Sequence, residues 1–198
     1  MERETIEFDV VFVGGGPACL AGAIRLAQLA QEQGTELEIA LIEKGAEIGA
    51  HSVSGAVMNP KALKELIPHY LEKGCPIETT VRQDAFCLLT PSRFYRLPLT
   101  PRYMQNEGFE VVSLSRLTRW MAGVAEELGI NIFPGFAATE VLFDTDQKTV
   151  IGVRTDDKGM DKEGKPKPNF EPGIDILAKV TVLGEGARGS LTKEIDQK

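Results

Sequence analysis

Histidine and cysteine are scarce in this chain of 198 residues. There are two histidines, His51 and His69, and three cysteines, Cys19, Cys75 and Cys87. The cysteines are far apart and no CxxC pair occurs. That excludes a disulfide framework and a self-contained metal or iron–sulfur site, and it suits a reducing compartment. No apolar run approaches the roughly 20 residues of a spanning helix. Positive charge is also short: the formal net charge is -7. Nucleic acid is therefore not expected as a partner, because phosphate backbones need a cationic face. The opening Met1-Glu2-Arg3-Glu4-Thr5-Ile6-Glu7 is acidic and short. It reads as neither a secretory signal nor an Arg/Ser-rich transit peptide, so bacterial or archaeal cytoplasm is the expected location.

Apolar residues make up 42% and charged residues 26%. That is enough for a packed core in one large domain or two small ones. The stretch Phe8–Val13 is a near-continuous apolar run, the pattern of a parallel strand buried on both faces. It runs directly into Gly14-Gly15-Gly16, and Pro17 follows at a first helical position, where its missing N–H costs nothing. Ala18 to Gln33 has helical apolar spacing at Leu20, Ala23, Ile24, Ala27 and Ala30, and Gly34 stops it. Leu37 to Ile42 is a second apolar strand ending at Glu43. Such a βαβ unit holds a pyrophosphate: Gly14 allows the tight turn, Gly16 lets backbone N–H groups approach, and the helix N-terminus favours the anion. Glu43 lies where an acid accepts hydrogen bonds from an adenosine ribose. The third glycine of G-x-G-x-x-G is replaced by Cys19.

Lys44 to Asn59 is rich in Gly and Ser, and a loop is expected. His51 lies in it; an isolated loop histidine is more often solvated than catalytic. Asn59-Pro60 should start a helix over Lys61–Ile67, which stops before Pro68. Residues 84–89 and 93–97 read as a hairpin around Thr90-Pro91-Ser92. From Arg93 to Met104, apolar and aromatic residues are mixed with Arg93, Arg96 and Arg102. This is either an ordinary covering loop or a membrane- or quinone-facing surface. Ser113–Gly129 is the clearest amphipathic helix, with Leu117, Met121, Val124, Ala125 and Leu128 on one face. Strands are expected at Ile130–Phe133, Thr139–Phe143, Val150–Arg154 and Ile174–Leu183. Asp156–Gly173 is expected to be a mobile surface loop. The last strand ends in Gly184-Glu185-Gly186, a second glycine turn, with a helix beginning near Leu191.

Two glycine turns grip a long dinucleotide at two points, which points to FAD rather than NAD. The order of these elements resembles the glutathione-reductase-like FAD flavoproteins. Two stretches are more specific. One is Glu43–Ala56; the other combines Trp120-Met121-Ala122 with Pro134–Phe143 and Ala178–Gly186. Together they resemble the electron transfer flavoprotein–ubiquinone oxidoreductase family, over the whole chain but over only the N-terminal third or so of that family's length. The resemblance implies an α/β, Rossmann-like FAD-binding fold with a parallel central sheet, an antiparallel β excursion and a small inserted β-containing segment. The expected divisions are residues 1–58 (FAD-binding βαβ and flavin loop), 59–112 (inserted segment of a substrate or quinone domain) and 113–198 (continuation of the FAD-binding domain). An N-terminal fragment, or a split or truncated gene, is expected.

By the same resemblance, Gly14, Gly16, Pro17 and Ala18 would surround the FAD pyrophosphate, and Glu43 would bind the adenosine ribose with Lys44 beside it. Ser54 and Gly55 would approach the flavin, Arg116 the phosphates, and the Val141 backbone the adenine. Glu185, in the Gly184–Gly186 turn, would contact the ribityl or phosphate region. The implied reaction takes electrons from reduced electron transfer flavoprotein to ubiquinone or another quinone. It occurs on a membrane surface, here the cytoplasmic face of the inner membrane. A [4Fe–4S] cluster is implied too, with ligands in the part of the family's chain not represented here. Two other readings share the same turns: a geranylgeranyl-reductase-like or FixC-like flavoprotein, and a non-catalytic FAD-binding module. A flavin hydroxylase fits less well, because Gly186-Ala187-Arg188-Gly189 departs from A-D-G-x-x-S.

Overall fold

The structure, a computed structural model, describes residues 3–161 and 163–196. The first elements follow from the apolar pattern. Strand β1 (Thr5–Val13) buries its last four residues, and β2 (Ile39–Glu43) buries its first four. Helix α1 (Pro17–Gln33) joins them. It buries Cys19, Leu20, Ala23, Ile24, Ala27 and Ala30, so small residues let it pack close to the sheet. Gly34, at φ 66°, ends it in a left-handed cap, and Thr35 N–H returns to Ala30 O at 2.9 Å.

The chain divides into two compact units, Met1–Ser52 with Thr118–Lys198, and Val53–Leu117. The second unit holds β3 (Gly55–Met58), α2 (Lys61–Leu66), β4 (Ile77–Thr80), the hairpin of β5 (Cys87–Leu89) and β6 (Phe94–Arg96), a 3₁₀ turn at Arg102–Met104, and β7 (Glu110–Ser113). Its three-stranded sheet has the order β3-β7-β4, with both pairs antiparallel. Three expectations change here. The end of the Lys44–Asn59 loop is a strand, because Gly55–Met58 pair with Glu110–Ser113. This pairing also draws residues 53–58 and 113–117 into the second unit, so its limits differ from 59–112. Helix α2 starts at Lys61 as expected but ends one residue early, at Leu66, and its cap is Pro60 rather than Asn59, whose Oδ1 accepts from Lys61 N–H at 3.1 Å. A buried polar pair lies in this unit. The Tyr70 hydroxyl donates to Glu110 Oε1, while Glu110 Oε2 is buried without a hydrogen-bond partner among the described residues.

The amphipathic helix α3 (Leu114–Glu127) buries Leu117, Met121, Val124 and Ala125. Gly129, at φ 86°, closes it, with Ile130 N–H bonded to Ala125 O. Then follow β8 (Asn131–Pro134), β9 (Ala138–Phe143), β10 (Val150–Thr155), β11 (Lys158–Met160), β12 (Pro166–Glu171), β13 (Asp175–Leu183) and α4 (Ser190–Asp196). The expected mobile loop over Asp156–Gly173 instead contains the antiparallel pair β11–β12. The main sheet has the order β8-β2-β1-β13-β10-β9. Strands β8, β2, β1 and β13 run parallel; β10 and β9 are antiparallel additions. Its core cluster includes Val11, Val13, Ile42, Val141, Val153 and Ile176. Arg154 braces the antiparallel side. Its Nε and Nη2 donate to the two oxygens of Asp175 at 2.7 and 2.9 Å, and Nη1 donates to Glu140 at 2.8 Å.

Candidate functional site

In this sheet β1 has β2 on one side and β13 on the other, so the strand order reverses there. Clefts form at such a point, beyond the carboxyl ends of the strands. Both glycine turns meet at it. Gly14 N–H donates to Ile42 O at 2.8 Å, and Gly184 N–H donates to Val13 O at 2.9 Å. Gly14 has φ +114°, and a Cβ there would stand 2.5 Å from Gly184 O. The two turns therefore touch through backbone alone. A Cβ on Gly16 would meet nothing within 4 Å, so the space above the first turn is open.

A cleft of about 390 Å³ opens at this position. Gly14, Gly15, Gly16, Glu43, Lys44, Gly184, Glu185 and Gly186, all proposed from the sequence, line it together. The neighbours are Ser52, His51, Phe136, Ala137, Ala138 and Arg188. The first unit supplies every one of these residues.

The two carboxylates are held by backbone donors. Glu43 Oε2 accepts from Gly15 N–H and Oε1 from Gly45 N–H, each at 2.7 Å, and His51 Nδ1 lies 3.3 Å from Oε1. Glu185 Oε1 accepts from the N–H groups of Ser190 and Leu191 at 3.1 and 3.2 Å. Its Oε2 accepts from the Thr192 N–H and hydroxyl at 3.0 and 3.1 Å. Burial opposes ionisation of Glu185, but these donors, Thr192 and Leu191 foremost, outweigh it and hold its pKa below the ordinary value. Glu185 therefore ties the second turn to α4.

Cys19 explains how the motif tolerates a missing glycine. The side chain is 3% exposed, and its thiol points at Val13 O, 3.8 Å away. A Cβ on Gly184 would overlap Cys19 Sγ. The thiol thus occupies space that Gly184 leaves empty. Burial, and then the Glu43 charge, push its pKa up to about 11, so it is an inert packing group.

The cleft lining does not include the remaining proposed residues. Pro17 and Ala18 are exposed at the start of α1, outside the cleft lining. Val141 is a 3% exposed core residue of β9, paired with Val153. Ser54, Gly55 and Arg116 belong to the second unit. Ser54 O accepts from Leu114 N–H, Gly55 opens β3, and Arg116 pairs with Glu78 at 2.6 Å. In return the fold brings in residues that local reading missed. Glu43 pairs with Pro134 in the β2–β8 register; Gly135 N–H then bonds Gly45 O and Phe136 N–H bonds Glu43 O. That route lays Phe136–Ala138 beside the acid. The Phe136 ring packs edge-on against Phe133, with Lys158 Nζ 4.6 Å from its centroid. Arg188 had one sequence signal, its position just beyond the second turn.

The chain is 50% identical over 196 residues to a mitochondrial protein of Arabidopsis thaliana, covering 99% of this chain and 30% of that protein. It is 46% identical over 202 residues to a protein of Pseudomonas aeruginosa, covering 100% of this chain and 36% of that one. These relatives are electron transfer flavoprotein-ubiquinone oxidoreductases. The chain spans about a third of their length. No protein-family profile matches it. Among solved structures, the flavin-dependent monooxygenase PieE, in complex with FAD and substrate, aligns with a TM-score of 0.62 at 16% identity, over 92% of this chain and 31% of that one. A geranylgeranyl bacteriochlorophyll reductase-like protein of Thermoplasma acidophilum aligns at 0.60 and 19%, over 92% and 40%. At such identities the likeness is one of fold: an α/β fold with a mainly parallel sheet and antiparallel additions, shared with FAD-dependent enzymes.

Proposed function

We propose that this chain binds FAD in the cleft and is the FAD-binding part of an oxidoreductase that passes electrons from reduced electron transfer flavoprotein to ubiquinone or another quinone. One observation carries the reading: two glycine turns in backbone contact, with open space above Gly16. This cradle fits a pyrophosphate, which needs close N–H donors and no side chain in the way. The naming of the relatives supports the donor and acceptor. FAD would supply the redox chemistry. The residues here bind and orient it. The Gly14 and Gly15 N–H groups already donate to Ile42 O and Glu43 Oε2, so the first turn offers the phosphates its Gly16 N–H and the uncapped start of α1. Glu43, already fixed by Gly15 and Gly45, keeps acceptor capacity for ribose hydroxyls.

A [4Fe–4S] cluster does not fit the residues here. No group of three or more His, Cys, Asp or Glu is placed to hold a metal among the described residues. Cys19 and Cys75 are buried, and burial raises both thiols to about 11, against the thiolate such a cluster needs. No step is therefore routed through a cluster in this chain. No helix among the described residues is long and apolar enough to cross a membrane. Membrane association, at the cytoplasmic face, is proposed through the β5–β6 hairpin and the residues after it. Leu89, Phe94, Leu99 and Tyr103 are 76%, 68%, 80% and 87% exposed there, interleaved with Arg93, Arg96 and Arg102.

The test is flavin uptake, followed by turnover. The purified chain should take up stoichiometric FAD and turn yellow; a colourless protein that retains none overturns the proposal. Quinone reduction by reduced electron transfer flavoprotein is the expected activity of the enzyme that contains this part. Prenyl-chain reduction would favour the geranylgeranyl-reductase-like alternative. FAD uptake without quinone reduction by the enzyme that contains this part would make it a binding module.

A further inference from the structure

Five arginines lie in the first unit. Arg3, Arg25, Arg119 and Arg154 each hold a carboxylate, while Arg188 has no ion-pair or hydrogen-bond partner among the described residues. Yet Arg188 lines the cleft, just beyond the second glycine turn. The acids of the cleft lining are each engaged by backbone donors, Glu185 by Ser190, Leu191 and Thr192 and Glu43 by Gly15 and Gly45, and neither pairs with Arg188. Among the described residues, the lining's cations Arg188 and Lys44 have no ion-pair or hydrogen-bond partner, while both of its carboxylates are so held. A guanidinium is always charged, and its fork matches phosphate oxygens two at a time. Gly186, at φ +81°, is the bend that carries the chain from the second turn toward Arg188.

We infer that Arg188 is a pyrophosphate-binding residue of this cleft, closing on the phosphates from the side of the second turn while the Gly16 N–H and the start of α1 hold them from the first. The family resemblance implies a phosphate-facing role for Arg116 as well, a residue of the second unit whose side chain pairs with Glu78. The inference rests on the FAD reading of the same cleft.

The experiment titrates the chain and its Arg188→Gln variant with FAD, ADP and adenosine, following flavin fluorescence or heat. Arg188 is exposed and unpartnered, so the variant should keep the parental melting temperature. FAD and ADP should bind the variant roughly ten- to a hundredfold more weakly, the usual effect of losing a charged hydrogen-bond pair. Adenosine, which lacks phosphate, should be unaffected. Arg188→Lys, with charge but no fork, should fall between. Equal ADP affinity in variant and parent overturns the assignment, as does an equal loss for adenosine. A parent chain that takes up neither FAD nor ADP overturns the reading of the cleft itself, and the inference with it.

Discussion

Gly14 and Gly16 are two residues apart and are glycine for different reasons. Gly14 carries a positive φ, and a Cβ there would press on Gly184 O, so it is required by the fold. Gly16 has φ -79° and open space where its Cβ would be, so its smallness matters only to whatever enters the cleft. Gly14→Ala should therefore destabilise the chain by about 2 kcal/mol or more, from strain and overlap together. Gly16→Val should melt close to the parent and retain no flavin. Denaturant titration with flavin uptake separates the two; equal flavin content in Gly16→Val and parent would refute the site. Cys19 makes a second contrast. The glycine motif alone suggests that Cys19→Gly is tolerated or improves binding. The structure adds a cost in stability: glycine in a helix loses about 1 kcal/mol, and the thiol's volume is vacated. Gly184→Ala should cost about 1–3 kcal/mol by overpacking against Cys19. The double variant should recover part of that loss, because the added methyl then occupies the vacated space. Additive losses in a denaturant double-mutant cycle would sink this account.

Among the elements, β1, α1 and β2 were legible because their information is local: two apolar runs, a helical stripe and a glycine at each end. β4 and β7 were not anticipated. Each is four residues long, and each is a strand through antiparallel partners rather than through its own alternation. The same holds for β11 and β12, whose Lys, Gly and Pro content reads as loop until the two segments pair. In the cleft the glycines and Glu43 were visible in the sequence. Phe136–Ala138 were not, because the β2–β8 register and the bonds from Gly135 and Phe136 bring them there. The β5–β6 hairpin carries its own prediction. Its bonds from Thr90 N–H to Arg93 O and from Leu97 N–H to Phe86 O close the hairpin and leave Leu88, Leu89, Phe94 and Tyr95 exposed on its two strands. Leu89→Glu with Phe94→Glu should abolish flotation with anionic lipid vesicles and leave FAD uptake at the parental level. Unchanged flotation would remove the hairpin from the membrane proposal.

For the molecule as a whole, stability should depend on pH at both ends. Burial, and then the Glu110 hydrogen bond, raise the Tyr70 hydroxyl from 10.0 to about 12. Burial raises Cys19 and Cys75 from 9.0 to about 11. Groups raised in the folded state contribute stability that is complete below their unfolded values and is lost as pH rises through the folded ones. The midpoint of urea unfolding should hold to about pH 9 and fall steadily toward pH 12. In acid the sign reverses. Hydrogen bonding from Arg3 lowers Asp157, from Arg154 lowers Asp175, and from Lys179 lowers Asp9. Their contribution is complete above the ordinary carboxylate value of 3.8 and disappears as pH falls through the lowered values. A midpoint that stays flat from pH 9 to pH 12 would contradict the alkaline half.

The pairing of β1 with β13 also sets an order of events in time. Thr5 is registered with Asp175 and Val13 with Leu183, so the middle of the main sheet joins segments 170 residues apart. A ribosome must deliver the chain as far as Leu183 before these two strands can meet in full, and closing so long a loop is slow. The Val53–Leu117 unit pairs its strands within 65 residues and can be native well before. Gly14 and Gly184 come together only when that last zipper closes. Ligand capture would then report the closing of this sheet, and a chain lacking β13 would have no cleft to fill.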